Sequence, residues 1–79
     1  MSEKKVLIID DNEQLLLLLK EYLTELGAEP IVTSCAAKGI RLAETEQPDL
    51  ILLDIMMPDM PGDEVAAELK ANAKTSDIP

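Results

Sequence analysis

Three carboxylates stand where chemistry could gather. Asp10 and Asp11 follow the apolar run Val6-Leu7-Ile8-Ile9, and Asp54 follows Leu50-Ile51-Leu52-Leu53. Each run keeps its acids for its C-terminal tip. Apolar runs without alternation suit strands buried on both faces, as in a parallel sheet covered by helices. If the two strands are neighbours, Asp10, Asp11 and Asp54 meet at the carboxyl edge of the sheet, where open α/β folds place their ligands. Three clustered carboxylates repel one another by several kcal/mol in total, on the order of magnitude expected at an intermediate dielectric. A hard, oxygen-seeking cation such as Mg²⁺ relieves that repulsion. The trio therefore reads as a site, against the alternative of three solvated acids at strand ends that never converge.

Several elements must position these acids. Lys4–Asp10 reads as a first strand. Asn12–Leu26 reads as a helix, capped by Asn12 or Asp11, with Glu13 at its positive end and Gly27 at a left-handed stop. Glu29–Ser34 is a shorter strand, and Ser34 can cap a second helix that runs to about Glu46 before Pro48. Leu50–Asp54 is a third strand. A third helix spans roughly Asp63–Lys74 with Val65, Ala66 and Leu69 inward, and Thr75–Pro79 is a connection. This alternation of strand and helix signals an α/β fold with parallel strands. In the first helix, Leu15, Leu18, Leu19, Tyr22, Leu23 and Leu26 follow helical spacing and predict the buried stripe. Leu16 and Leu17 fall off it, as part of a wide buried face, as stray exposed leucines, or as a docking patch beside the acids.

Composition narrows the function classes. Seventy-nine residues make one small domain, burying roughly 60% of its unfolded surface. Tyr22 is the single aromatic, so the core is aliphatic. No run reaches the ~18 apolar residues of a membrane span, and the N-terminus lacks the pattern of a signal peptide. A net charge of −9, from 16 acidic and 7 basic residues, argues against nucleic-acid contact by this segment, because phosphate backbones need basic patches. The lone Cys35 cannot form an internal disulfide, which fits a reducing cytoplasm. With no histidine to activate it, it is expected to be a packing residue at a strand-to-helix junction, not a catalytic thiol.

Asp10-Asp11, Asp54 and the following Ile55-Met56-Met57-Pro58-Asp59-Met60-Pro61-Gly62 resemble the receiver domain of two-component response regulators, and the resemblance runs from Lys5 to Pro79. It implies a flavodoxin-like, doubly wound sheet with strand order 2-1-3. Residues 1–79 would then be the N-terminal two-thirds of a domain whose strands run 2-1-3-4-5. Asp54 matches the phosphoacceptor, whose carboxylate attacks a phosphohistidine and becomes an acyl phosphate. Asp11 matches a direct Mg²⁺ ligand, with Asp54 also on the metal. Asp10 matches the acid that holds the metal through water, and Met56 the position whose backbone carbonyl completes the protein ligands. Such phosphoryl transfer rests on positioning and charge neutralisation. The implied partner is a histidine kinase or a histidine phosphotransfer protein, docking near Leu15, Leu16, Leu18 and Pro58. The implied role is cytoplasmic signalling, with no enzymatic chemistry beyond the domain's own phosphorylation and dephosphorylation.

The chain departs from the family in two places. Met60-Pro61-Gly62 stands where many relatives have Met-Asp-Gly, a mild variation. The family also continues with a fourth strand ending in Ser or Thr and a fifth ending in Lys, and these are missing here. Without them the third strand becomes an apolar edge, which invites pairing with another chain, so self-association through that edge is expected. Two other readings stand beside the phosphoacceptor. One is a receiver-like scaffold that serves interaction or self-assembly without phosphorylation. The other is a haloacid-dehalogenase-type phosphatase, whose Asp-x-Asp pattern fits poorly: Ile55 and Met56 follow Asp54, and Asp11 and Asn12 follow Asp10.

Overall fold

The strand β1 (Lys5–Ile9) has four consecutive buried residues, Val6 to Ile9. Only a strand in the middle of a sheet with helices on both faces can hide such a run. The computed structural model, which describes residues 4–54 and 60–79, places it there. It is followed by α1 (Glu13–Glu25), β2 (Glu29–Thr33), α2 (Ala36–Glu46), β3 (Leu50–Leu53) and α3 (Gly62–Ala71). Among the described residues the sheet has the order β2-β1-β3, with both pairings parallel. The expected α/β architecture and strand order are thus present.

Pleating splits β1 between two cores. Leu7 and Ile9 point to the side of α2 and α3, where Ala36, Ala43, Val65 and Leu69 enclose them. Val6 and Ile8 point the other way, to Leu16 of α1, with Leu19, Leu23, Ala28 and Val32 around them. Gly39 lets α2 sit directly on β1. A Cβ built there would lie 2.5 Å from Cδ1 of Ile9 and 2.7 Å from its Cγ1.

Four local expectations need correction. The buried line of α1 is Leu16, Leu19 and Leu23, while Leu15, Leu18, Tyr22 and Leu26 are exposed. The reason is that α1 packs chiefly against β2, which rotates the inward face away from the predicted stripe. The N-cap of α2 is Cys35 without a side-chain cap bond, not Ser34. Thr33 Oγ1 accepts the Cys35 N–H, a local turn that shifts the helix start by one residue. Cys35 is exposed, not packed. Finally, α3 stops at Ala71 because Asn72 turns extended (φ −94°, ψ 121°) and Thr75 Oγ1 donates to the Leu69 carbonyl at 2.6 Å.

That early stop sends the tail back along β3. The Ile51 N–H donates to the Pro79 carbonyl at 3.0 Å, so the outer edge of β3 is not bare at Ile51. Two other stops follow the sequence reading. Gly27 closes α1 with φ +88°, and α2 ends on Gln47 in the left-handed region (φ 48°) just before Pro48.

Gly39→Ala tests the α2–β1 contact. Overpacking against the enclosed Ile9 costs roughly 1–3 kcal/mol, more than the helix-propensity gain of about 1 kcal/mol. Urea denaturation should show a lowered midpoint. Adding Ile9→Val, which deletes the nearest clashing methyl, should cost less than the sum of the two single changes. A stabilised Gly39→Ala chain would mean that Ile9 swings aside freely.

Candidate metal centre

The site begins with strand register. Ile9 pairs with Leu53, so Asp10 and Asp54 leave the sheet side by side. The backbone anchors both: the Asp54 N–H donates to the Ile9 carbonyl at 2.9 Å, and the Asp10 N–H donates to the Thr33 carbonyl at 3.1 Å. Asp10 is thus tied to β2 and Asp54 to β1 at the moment the chain turns away.

The loop into α1 is held by its own side chains. Asp10 Oδ1 accepts the Asn12 N–H at 2.9 Å, a local turn that Asp favours. Asn12 Oδ1 in turn accepts the Leu15 N–H at 3.1 Å and caps α1. Asp11, between them, projects outward. One carboxylate oxygen from each of Asp10, Asp11 and Asp54 lies within 4.8 Å of the others. Asp10 and Asp54 are half-buried and Asp11 is exposed. On the inner side, Ile8, Leu19, Leu52 and Leu53 line a cavity together with Asp10 and Asp54.

Crowding raises the Asp11 carboxyl above its ordinary 3.8. The causes are partial desolvation first, then the hydrogen bond with Asp54 and the charges of Asp54 and Asp10. Since Asp11 is open to solvent on one side, this desolvation comes from neighbouring groups at the strand tips and not from enclosure. Three anionic oxygens so close together form a donor set that suits a hard divalent cation, which takes carboxylate and water oxygens.

The three acids singled out in the sequence come together here. Met56 and Pro58 lie outside the described residues. Of the candidate docking leucines, Leu15 (38% exposed) and Leu18 (64%) are accessible, but Leu16 (6%) belongs to the core. Asn12 was legible as a helix cap; its hold on Asp10 was not, because nothing in the spacing distinguishes a backbone donor that meets a side chain two residues back.

The chain matches the response regulator receiver domain over residues 6–79. It is 42% identical over 67 residues to the alkaline phosphatase synthesis transcriptional regulatory protein PhoP of Bacillus subtilis (strain 168), covering 85% of this chain and 28% of PhoP. Its fold superposes on the N-terminal domain of a response regulator receiver protein from Methanoculleus marisnigri JR1 with a TM-score of 0.94. That match has 32% identity and covers 99% of this chain and 63% of the other. Response regulator TrrA from Thermotoga maritima, solved in complex with Mg(2+)-BeF, matches with a TM-score of 0.82 and 35% identity, covering 90% of this chain and 62% of the other. The chain belongs to the receiver domain family of two-component response regulators. It spans less than a third of PhoP and under two-thirds of the two solved chains.

The raised Asp11 carboxyl sets a pH dependence. Its folded value exceeds its ordinary 3.8, so the folded state binds more protons, and metal-free stability falls as pH rises through that window. In EDTA, the Tm of the chain should decline over this range. Asp11→Asn should flatten that part of the profile and raise Tm at neutral pH. An unchanged slope in the variant would remove Asp11 as the cause.

Proposed function

We propose that the chain is a phosphoacceptor signalling module that takes a phosphoryl group onto Asp54 from the phosphohistidine of a histidine kinase or histidine phosphotransfer protein. The observation that carries this reading is the convergence of the Asp10, Asp11 and Asp54 oxygens within 4.8 Å at the sheet's carboxyl edge. In this reading an Asp54 oxygen forms the new O–P bond as the N–P bond of the donor breaks. Asp54 starts from a backbone fixed by its bond to Ile9, so little reorganisation precedes attack. Asp11 and Asp54 would hold Mg²⁺ directly, Asp10 would hold it through water, and the Met56 carbonyl would complete the protein ligands. When bound, the ion neutralises charge that develops on the phosphoryl oxygens. The Mg(2+)-BeF complex of TrrA supports this choice of ion.

The share of the solved relatives that is covered supports reading residues 1–79 as the N-terminal two-thirds of a receiver. The donor would dock beside the acids on Leu15 and Leu18, with Pro58, four residues after Asp54, contributing; buried Leu16 supports that surface from beneath. A cytoplasmic setting goes with such a donor, and no helix of the described residues is long and apolar enough to cross a membrane.

Incubation with Mg²⁺ and phosphoramidate, read by intact mass, tests the proposal. A single phosphoryl gain is expected that disappears with EDTA and in Asp54→Asn. No gain in a chain shown to be folded would leave the receiver scaffold without its reaction.

A second reading, association between copies of the chain, has its own observation. Leu50 and Leu52 are each 38% exposed, on the sheet face that Val6 and Ile8 share with them through the β1–β3 register. Sedimentation velocity at high micromolar concentration should show a dimer that Leu52→Lys weakens. Monomer alone at that concentration would reject it.

A further inference from the structure

We propose that Asn12 is a positioning residue for the carboxylate cluster, joining Asp10 to the first turn of α1. The inference rests on the phosphoacceptor reading for its consequence and on geometry for its content. Two bonds run in series. The Asn12 N–H donates to Asp10 Oδ1, and Asn12 Oδ1 accepts from Leu15 N–H. The first bond holds the Asp10 carboxylate at one oxygen, and that carboxylate also has an oxygen within 4.8 Å of those of Asp11 and Asp54. The second fixes the peptide that supplies the first, because a capping side chain ties the non-helical Asn12 backbone (φ −84°, ψ 99°) to the first turn of α1.

What anchors that helix is Leu16, four residues on, buried against Val6 and Ile8 of the same strand that ends in Asp10. Strand tip, turn, cap and helix therefore form one closed loop of contacts. Asp11 sits inside it with both neighbours held. A residue at position 12 without an acceptor would keep the helix but let the turn open. Asp10 would then be free to rotate away from Asp11 and Asp54, as like charges favour.

The side-chain acceptor, not the amide group as such, does the holding, and this makes the inference separable from general stability. Ser at position 12 can still cap, whereas Ala cannot. The test uses the whole 79-residue chain as wild type, Asn12→Ala, Asn12→Ser and the remote core variant Val65→Ala. Solvent exchange of the residue-12 amide, followed by NMR in EDTA, reads the turn without any metal. Calorimetric titration with MgCl₂ reads the cluster.

Asn12→Ala should speed exchange of that amide by about fivefold and weaken Mg²⁺ binding by about the same factor, the weight of one lost helix cap. Asn12→Ser should stay within about twofold of wild type on both measures, a loss smaller than that of a cap. Val65→Ala should lower Tm without changing either. Unchanged amide exchange in Asn12→Ala would overturn the inference, whatever the metal does. So would equal weakening in Val65→Ala, which would reduce the effect to loss of stability. Faster exchange in a chain whose wild type takes up no Mg²⁺ would uphold the positioning role and overturn the metal reading instead.

Discussion

The parallel register of β1 against β3 is the constraint on which everything else depends. Val6 to Ile9 pair in order with Leu50 to Leu53, so the first residue after each pairing is an aspartate. The cluster is therefore made by backbone hydrogen bonds, not by attraction among its members, which repel. A slip of one residue would reverse the pleat of β3. Leu50 and Leu52 would enter the core under α3, Ile51 and Leu53 would leave it, and Asp54 would no longer stand beside Asp10. The hydrophobic pattern that selects the register thus also selects the site.

The two faces of the sheet support that register unequally. Under α2 and α3, Leu7 and Ile9 meet four fully or nearly enclosed residues from two helices, brought close by the missing side chain of Gly39. Under α1, buried contact narrows to Leu16 beneath a single helix, with partly buried neighbours around it. Since interior contacts hold most of their value only at close packing, the α2–α3 side fixes β1 while the α1 side adjusts to it. The exposed leucines and Tyr22 on α1 are the consequence: this helix covers β2 and leaves the β3 side of the same face open.

Much of this was legible in the sequence. Unbroken apolar runs ending in acids named the strands, the central burial of β1 and the three convergent carboxylates, though not the exposure of Leu50 and Leu52 on β3; Gly27 and Pro48 marked the places where helices in fact end. The face of α1 was not legible, and the cause is specific. Leu15 to Leu19 are five consecutive leucines, so an apolar group points in every direction and periodicity alone has nothing to choose between. The choice is made by tertiary packing: Val6 and Ile8 of β1 meet Leu16, with Leu19, Leu23 and Val32 of β2 packed around them, a grouping that no local pattern on the helix specifies. The start of α2 escaped for the opposite reason. Ser34 is an ordinary cap, but Thr33 one residue earlier captures the Cys35 amide first, a competition between two short-range bonds of similar strength. The end of α3 depended on Thr75 reaching back to Leu69, which no helix signal encodes.

The same charges that define the site work against the fold that holds it. With nine more acidic than basic residues, the chain already repels itself, and the cluster adds a local concentration of that repulsion at the strand tips. Its members differ in what they can do about it. Asp10 gives one oxygen to the Asn12 amide, and Asp54 is rooted in the β1 ladder, so neither backbone can retreat. Asp11, exposed and free of the ladder, absorbs the conflict as a raised affinity for a proton. Any cation that binds the trio removes repulsion found only in the folded state. Binding and folding are then linked in one direction: what occupies the site stabilises the fold, by more than the same ion would gain from carboxylates that could move apart. A site built from repulsion is thus poised to respond to its ligand, provided the sheet is rigid enough to keep the acids from separating. In this chain that rigidity comes from β1, among the described residues the strand that is paired on both sides and covered on both faces.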